Sequence, residues 1–410
     1  MDLIVRHARL RRRPDAGLVD IGIAEGRIVR VEPRIADRAA REIDAGGRLT
    51  TPSFVEPHIH LDKALTADRA EENRTNFFED SIAIMREVKR GYTVEDVADR
   101  ATRVIHALVA HGVTFVRTYV DVDSIVGLVA LDGVLAARDR CRSLAHVEIV
   151  AFPQEGIVCD PGTDERMVRA MERGADVVGG MPFAEWIRED SRRHIDLVFE
   201  IARRFDRDVQ MHVDETDDPG ATTLHDTAVK TLREGWTGRV AADHATALAA
   251  WNDTYAAQVI GLVARARMSV VTLPSKLMRG GIRDREPRRR GITRVKELLA
   301  AGVNVAYGQD VIQDGFIPVF GTGDPLQVGF LLAFAAQFST RADIETLYDM
   351  ATVNGARLMR LDGYGAEVGC RADLVIVDAP SVHEAYRTQP PRLAVIHDGR
   401  VVAERGVVAA

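Results

Sequence analysis

Eight short apolar runs recur through the middle of this 410-residue chain, at 53–59, 114–120, 146–152, 176–181, 208–213, 239–243, 268–273 and 303–308. Between them lie longer stretches with helix-spaced apolar residues, such as Val94 to His111 and Asp164 to Arg173. Apolar runs this short are buried strands, and strict alternation with helices demands a parallel sheet covered on its faces. Eight such units predict an α/β chain folded as a (β/α)8 TIM barrel. A doubly wound open sheet is the structural rival. The first strand is followed by no G-x-G-x-x-G and no Walker A loop, so a nucleotide-binding sheet has no support.

The two chain ends differ from the middle and resemble each other. Short alternating strands with turn signals occupy residues 2–50, as in Ile21 to Val29, and return over 366–410, as in Ala372 to Val377 and Ala394 to Val402. Neither end carries enough apolar residues to close a core alone. A small β-sandwich from 1–50 plus 362–410 is therefore expected beside a barrel over 51–361.

Charge and cysteine usage narrow the setting. The net charge of −7 favours neither nucleic acid nor an anionic membrane. One basic run, Arg288-Arg289-Arg290 within Pro287 to Arg294, is read as a solvated loop. Cys141, Cys159 and Cys370 form no C-x-x-C pair, which fits a reducing compartment rather than a disulfide framework. The N-terminus becomes charged too early for a signal peptide, and no apolar run reaches the roughly 20 residues of a membrane span. A cytoplasmic protein acting on a small molecule is expected.

In a barrel the strand ends open into one mouth, so chemistry gathers there. The first strand ends in His58-Ile59-His60, and residues i and i+2 on a strand face one side. The fifth ends in Met211-His212-Val213-Asp214-Glu215, the sixth in Asp243-His244, and the eighth in Gly308-Gln309-Asp310. His7, His106, His111, His194, His225, His383 and His397 fall elsewhere and are read as structural or surface residues. Three imidazoles and one carboxylate suit one divalent ion, Zn²⁺ or Fe²⁺, whereas Mg²⁺ would demand more oxygen ligands. A bridged metal pair would need a further ligand from the fourth strand. That strand, Val177 to Phe183, ends without Lys, Cys or Glu.

Taken together these stretches resemble the cytosine deaminase branch of the amidohydrolase superfamily. The matching segments are Phe54 to Asp62, Val116 to Val122, Val150 to Gly156 with its Pro153-Gln154-Glu155-Gly156, His212-Val213-Asp214-Glu215, Arg289 to Glu297, and Gly308-Gln309-Asp310. The chain is also similar to the N-isopropylammelide amidohydrolases, which share the His60-Leu61-Asp62-Lys63 pattern. The resemblance implies that His58, His60, His212 and Asp310 hold the metal and that Glu215 shuttles protons. It further implies that His244 orients the attacking hydroxide and that Gln154 binds the amide-like edge of a heterocycle. A bound metal would lower the pKa of its water toward ~7, and Asp310 could accept the water's proton. The expected reaction is hydrolytic release of ammonia from an amino-substituted heterocycle. The alternative is removal of an alkylamine from a hydroxytriazine, or opening of a cyclic amide. Relatives commonly form homo-oligomers, and one is expected here. The H-x-E and P-C-x-x-C signature of the other deaminase fold is absent.

Three departures bear on the substrate. Val311 follows Asp310 where the family usually has a second Asp, Tyr119 stands in place of a strand-two His, and Leu273-Pro274-Ser275-Lys276 replaces an Asn-Pro stretch. A substituted ring such as 5-methylcytosine is expected to be tolerated beside Val311. Lys63 is expected either to pair with an oxygen-rich ring or to form a salt bridge with Asp62 or Glu56.

Overall fold

The computed structural model describes residues 1–11, 17–75, 77–278, 291–317 and 319–409. Arg288, Arg289 and Arg290, read above as a solvated loop, lie outside the described residues.

The N-terminal strands are β1 (Leu3–Leu10), β2 (Val19–Ala24), β3 (Arg27–Glu32), β4 (Arg41–Asp44) and β5 (Leu49–Pro52). The barrel strands follow as β6 (Phe54–Ile59), β7 (Val113–Asp121), β8 (His146–Phe152), β9 (Val177–Val178), β10 (Val209–Val213), β11 (Val240–His244), β12 (Ser269–Thr272) and β13 (Asn304–Tyr307). The chain ends with β14 (Leu374–Val377), β15 (Arg392–His397), β16 (Arg400–Glu404) and β17 (Val407–Val408).

Strands β6 to β13 pair in sequence order as one parallel eight-stranded sheet. The ring closes where Asp310, just past β13, bridges Ile59 at the end of β6. Asp310 N donates to His58 O at 2.9 Å, and His60 N donates to Asp310 O at 2.9 Å. Those two bonds place Asp310 between the two histidines of the first barrel strand.

Every residue of β6, β7, β10 and β11 is buried, as expected of strands covered on both faces. The covering helices follow from local sequence. In the helix Val94–Ala110, Thr93 Oγ1 accepts from Asp96 N at 3.2 Å, and Val97, Ala101, Val104, Ile105 and Leu108 form the buried stripe. Strand β9 is only two residues long, although an apolar run spans 176–181. Its continuation holds Gly179 against β8, where an added Cβ would meet Ala151 O at 2.3 Å. The pairing nevertheless goes on through single bonds, Gly179 N to Ala151 O and His212 N to Gly180 O, both 2.9 Å.

The terminal strands form a nine-stranded mixed sheet drawn from both chain ends, in the order β17-β16-β15-β14-β5-β1-β2-β3, with β4 on β1. Its two ends share one core, with Leu3, Val5, Ile21 and Ile23 against Leu374, Ile376, Ala394 and Ile396. Buried Arg392 anchors this sheet to the barrel by pairing with Asp324 and donating from Nε to His111 O at 3.0 Å. Among the described residues no helix is long and apolar enough to cross a membrane.

Candidate active site

The strand ends meet as the alternation of β6 requires. The rings of His58 and His60 lie 5.3 Å apart between centroids, and the rings of His212 and His244 lie 4.7 and 5.3 Å from that of His58. Within the set His58, His60 and His212, and again within His58, His244 and Asp310, one donor atom per residue lies within 4.8 Å of the others. Backbone conformation sharpens this convergence. Asp214, His244 and Asp310 all have positive φ, at 47°, 63° and 68°. Such angles are costly for residues other than glycine and persist where the surroundings enforce them. At His244 the turn lets two consecutive side chains act on one centre, which an extended strand forbids.

The donor set fits a cation. His60 Nε2 and His212 Nε2 face each other at 3.2 Å, so they either share a proton or turn both lone pairs to one ion. His58 Nε2, His212 Nδ1 and both nitrogens of His244 are buried with no hydrogen-bond partner among the described residues. Burial and neighbouring cationic groups hold His60, His212 and His244 well below the ordinary imidazole range, so they present neutral nitrogens. Burial would raise Asp310, but the surrounding imidazoles outweigh it and keep it well below the usual carboxylate range. Neutral imidazoles with an ionised carboxylate are what a borderline divalent metal selects.

Asp243 organises the floor of the site, and the sequence reading assigned it no role. It lies next to the proton of His58 Nδ1 at 2.6 Å, receives the Tyr119 hydroxyl, and accepts from Gln210 Nε2 at 2.9 Å. An acceptor on Nδ1 fixes the His58 tautomer and aims Nε2 at Asp310, 3.4 Å away. Replacing Asp243 with Asn keeps the shape but removes the charge. Metal affinity is then expected to fall about 10–100-fold with the fold intact, as read by metal retention against a graded chelator. Unchanged retention would refute the role. Glu56 braces the same corner by accepting from His58 N and Gln309 N, each at 3.0 Å, and burial pushes it up to about 8. Gly308 leaves it room, since a Cβ there would lie 2.6 Å from Glu56 Oε1.

Above this floor lies a recess lined by His60, His212, Gln154, Glu215, Asp310 and Val311, among others. Burial raises the Glu215 carboxyl, only partly offset by Lys276, to about 7. Its Oε2 lies 3.7 Å from His244 Nε2. Neighbouring Asp214 accepts from Thr223 N at 2.7 Å and Leu224 N at 2.9 Å, which fixes the turn that carries Glu215. Gln154 Nε2 contacts Met181 Sδ at 3.2 Å, and Glu155 holds the same turn by accepting from Lys89 Nζ at 2.7 Å. The recess opens into a cavity of about 600 Å³ that shares Gln154, Glu215, Lys276 and Phe78 and extends to Trp186 and Arg188.

Two residues named from the sequence lie elsewhere. Tyr119 lines neither cavity. It is fully buried with its ring 4.5 Å from those of His58 and His212, beneath the donor cluster. Lys63 also lines neither. Its ammonium is committed to Asp121 at 2.5 Å, lies 3.2 Å from His60 Nδ1, and is 3.9 Å from Asp62. Its main partner is therefore Asp121 of β7; the expected pairing with Asp62 is present as a longer contact, and the one with Glu56 is not. Ser275 and Lys276, mentioned only as a departure, do reach the recess. Ser275 Oγ donates to Asp310 Oδ2 at 2.6 Å, and Lys276 pairs with Glu215. Phe78, Phe316 and Ile317 add apolar walls that no motif signalled. His194, read as structural, is buried with Nδ1 2.7 Å from Glu185.

A parallel barrel whose mouth gathers four buried imidazoles, an ionised aspartate and a buried glutamate has the architecture of the metal-dependent barrel hydrolases. The chain belongs to the Amidohydrolase family, whose profile matches residues 71–403. It is thus a hydrolase of the amidohydrolase superfamily, acting on carbon–nitrogen bonds. It is similar to the 5-methylcytosine deaminase from Klebsiella pneumoniae, solved with phosphonocytosine, at 37% identity and TM-score 0.93 over 98% of each chain. It is 31% identical to the N-isopropylammelide isopropyl amidohydrolase of Pseudomonas sp. (strain ADP), over 100% of this chain and 99% of the relative. The N-isopropylammelide isopropylaminohydrolase from Burkholderia multivorans aligns at 30% identity and TM-score 0.88 over 100% of both chains.

Proposed function

We propose that this protein is a hydrolytic deaminase of an amino-substituted, cytosine-like heterocycle, using one divalent metal, Zn²⁺ or Fe²⁺, held by His58, His60, His212 and Asp310. The observation that carries the reading is Glu215, buried within the recess shared by Gln154 and Asp310 and pushed to about 7. A general acid–base group is most effective when it is poised near the working pH.

In the reaction the oxygen of water bonds to the ring carbon and the carbon–nitrogen bond breaks. One hydrogen of water leaves with the amine as ammonia, and the other ends on the ring. When bound, the metal supplies a Lewis acid that lowers the pKa of water toward ~7. Asp310, ionised and bonded to Ser275, accepts a proton from the attacking water. Glu215, entering as the carboxylate, takes the water's other proton to the ring nitrogen, and the Glu215–Asp310 pair returns the first to the departing amine. His244 orients the water, and Gln154 presents its carboxamide to the amide-like ring edge. Val311, Phe78, Phe316 and Ile317 supply the apolar wall for a ring substituent, which supports a 5-substituted aminopyrimidine over cytosine itself.

A second reading, removal of an alkylamine from a hydroxytriazine, draws on the cavity of about 600 Å³ adjoining the recess, which has room for an N-alkyl arm. The test is an amine-release screen of metal-restored protein over cytosine, 5-methylcytosine, aminopterins and N-alkylated hydroxytriazines, with ammonia and alkylamine detected separately. Substituted rings are expected to exceed cytosine in kcat/KM by about tenfold, on the scale of one or two buried methyl-sized contacts. Cytosine as clearly the best substrate would sink the altered-pocket reading.

A further inference from the structure

The cation that faces the recess is Lys276, since Lys63 is held below it by Asp121. Lys276 lies in the turn Pro274–Met278 that follows β12, and Ser275 beside it also points inward to Asp310. The Lys276 side chain is buried, its ammonium pairs with Glu215, and it lies 3.7 Å from the centroid of the Phe78 ring. Among the described residues that line the recess it is the one lysine or arginine. It also lines the outer cavity, so any ring that passes inward meets it.

This pairing sets a chemical problem. A buried ammonium must be paired, because an isolated charge away from water is costly. Here its partner is the carboxylate that has to exchange protons with the substrate. A cation fixed on that carboxylate opposes its protonation, so Glu215 works best when another anion takes Lys276 from it. The aromatic face of Phe78 keeps the ammonium attracted to the neck of the recess while its partner changes. A point charge on a flexible stem is suited to such an exchange.

We infer that Lys276 is a substrate-binding residue that recognises a negatively charged ring oxygen. On the deaminase reading above, the preferred substrates are amino-heterocycles with a hydroxy, oxo or imide group that is ionised near neutral pH. The ring oxyanion replaces Glu215 at the ammonium, and Glu215 is released to work at the ring nitrogen.

The test separates recognition from turnover by using rings that carry no exocyclic amine. Binding of barbiturate, an anion near neutral pH, and of uracil, which is neutral there, is measured by calorimetry on metal-loaded protein. The wild type is expected to prefer barbiturate by about tenfold or more, and Lys276→Gln to lose about 30-fold or more of barbiturate affinity while binding uracil as before. Lys276→Arg should retain most of the preference. Barbiturate, and not uracil, should also shield Lys276 of the wild type from reductive methylation, a readout that does not depend on a variant folding. Equal affinity of the wild type for both rings, unchanged barbiturate binding in the Gln variant, or no shielding overturns the inference. Failure of every amino-heterocycle to release an amine would instead refute the deaminase reading and leave the binding result standing.

Discussion

Glu215→Gln is expected to keep its full complement of metal and lose turnover by about 10²–10⁴-fold. The amide matches the carboxylate in size, and the proposed donors His58, His60, His212 and Asp310 are untouched. What it cannot do is take up and return a proton. The wild type should show kcat/KM falling as pH drops through about 7, because the cycle begins with the ionised carboxylate, which burial raises to about 7. That limb should be missing in the variant. Affinity for a neutral inert ring such as uracil should change little, so the loss appears in kcat and not in binding. The variant also leaves Lys276 without its carboxylate, so a lowered melting temperature is expected beside the kinetic loss. Near-normal turnover with metal bound would remove Glu215 from the mechanism.

The barrel was legible because its strands are buried on both faces and read as bare apolar runs of the right length. The His58–His60 pair was legible for a related reason, since period two needs no knowledge of any other element. Asp243 was hidden. It stands beside His244, and alternation would send the two side chains to opposite faces. Only the left-handed turn at His244, φ 63°, lets both serve one site, and no residue type announces that angle. Lys63 and Lys276 show the same limit from the other side. Both were visible as lysines near expected strand ends. Which one reaches the recess depends on Asp121 standing 2.5 Å from Lys63. It depends equally on the turn after β12, where Ser275 and Lys276 aim at Asp310 and Glu215. Tyr119 was legible as a departure bearing on the substrate but its depth was not, because its position on β7 fixes the face alone. Its hydroxyl stops at Asp243, below the donor cluster.

Removing the metal with a chelator is expected to abolish turnover and to change the pH dependence of stability in a way the loaded protein does not share. An ion present at about a thousand times its dissociation constant contributes about 4 kcal/mol to stability, and that contribution disappears. In the stripped protein burial would lower His58, but Asp243 and Asp310 prevail and push it up from 6.5 to about 9. A folded-state pKa above the unfolded one gives stability that is complete below pH 6.5 and fades as pH rises through about 9. For this group it amounts to about 3 kcal/mol. His60, His212 and His244 have the opposite sign. Burial holds them well below 6.5, so the unfolded chain binds more protons and stability falls as pH drops below 6.5. The slope is at most about 1.4 kcal/mol per pH unit for each imidazole. Measured against the loaded protein, which shares the buried carboxyls, the stripped protein should therefore lose melting temperature as pH rises from 6.5 to about 9. In the loaded protein a coordinated His58 carries no extra proton, so the gap in melting temperature between loaded and stripped protein should widen between pH 6.5 and 9. The same logic requires metal binding near pH 8 to release about one proton, measurable by calorimetry in buffers of different ionisation enthalpy. A gap between loaded and stripped protein that is the same at pH 9 as at 6.5, with no proton released on reloading, would show that His58 is not charged between Asp243 and Asp310, and that something other than this cluster governs the metal's effect on the fold.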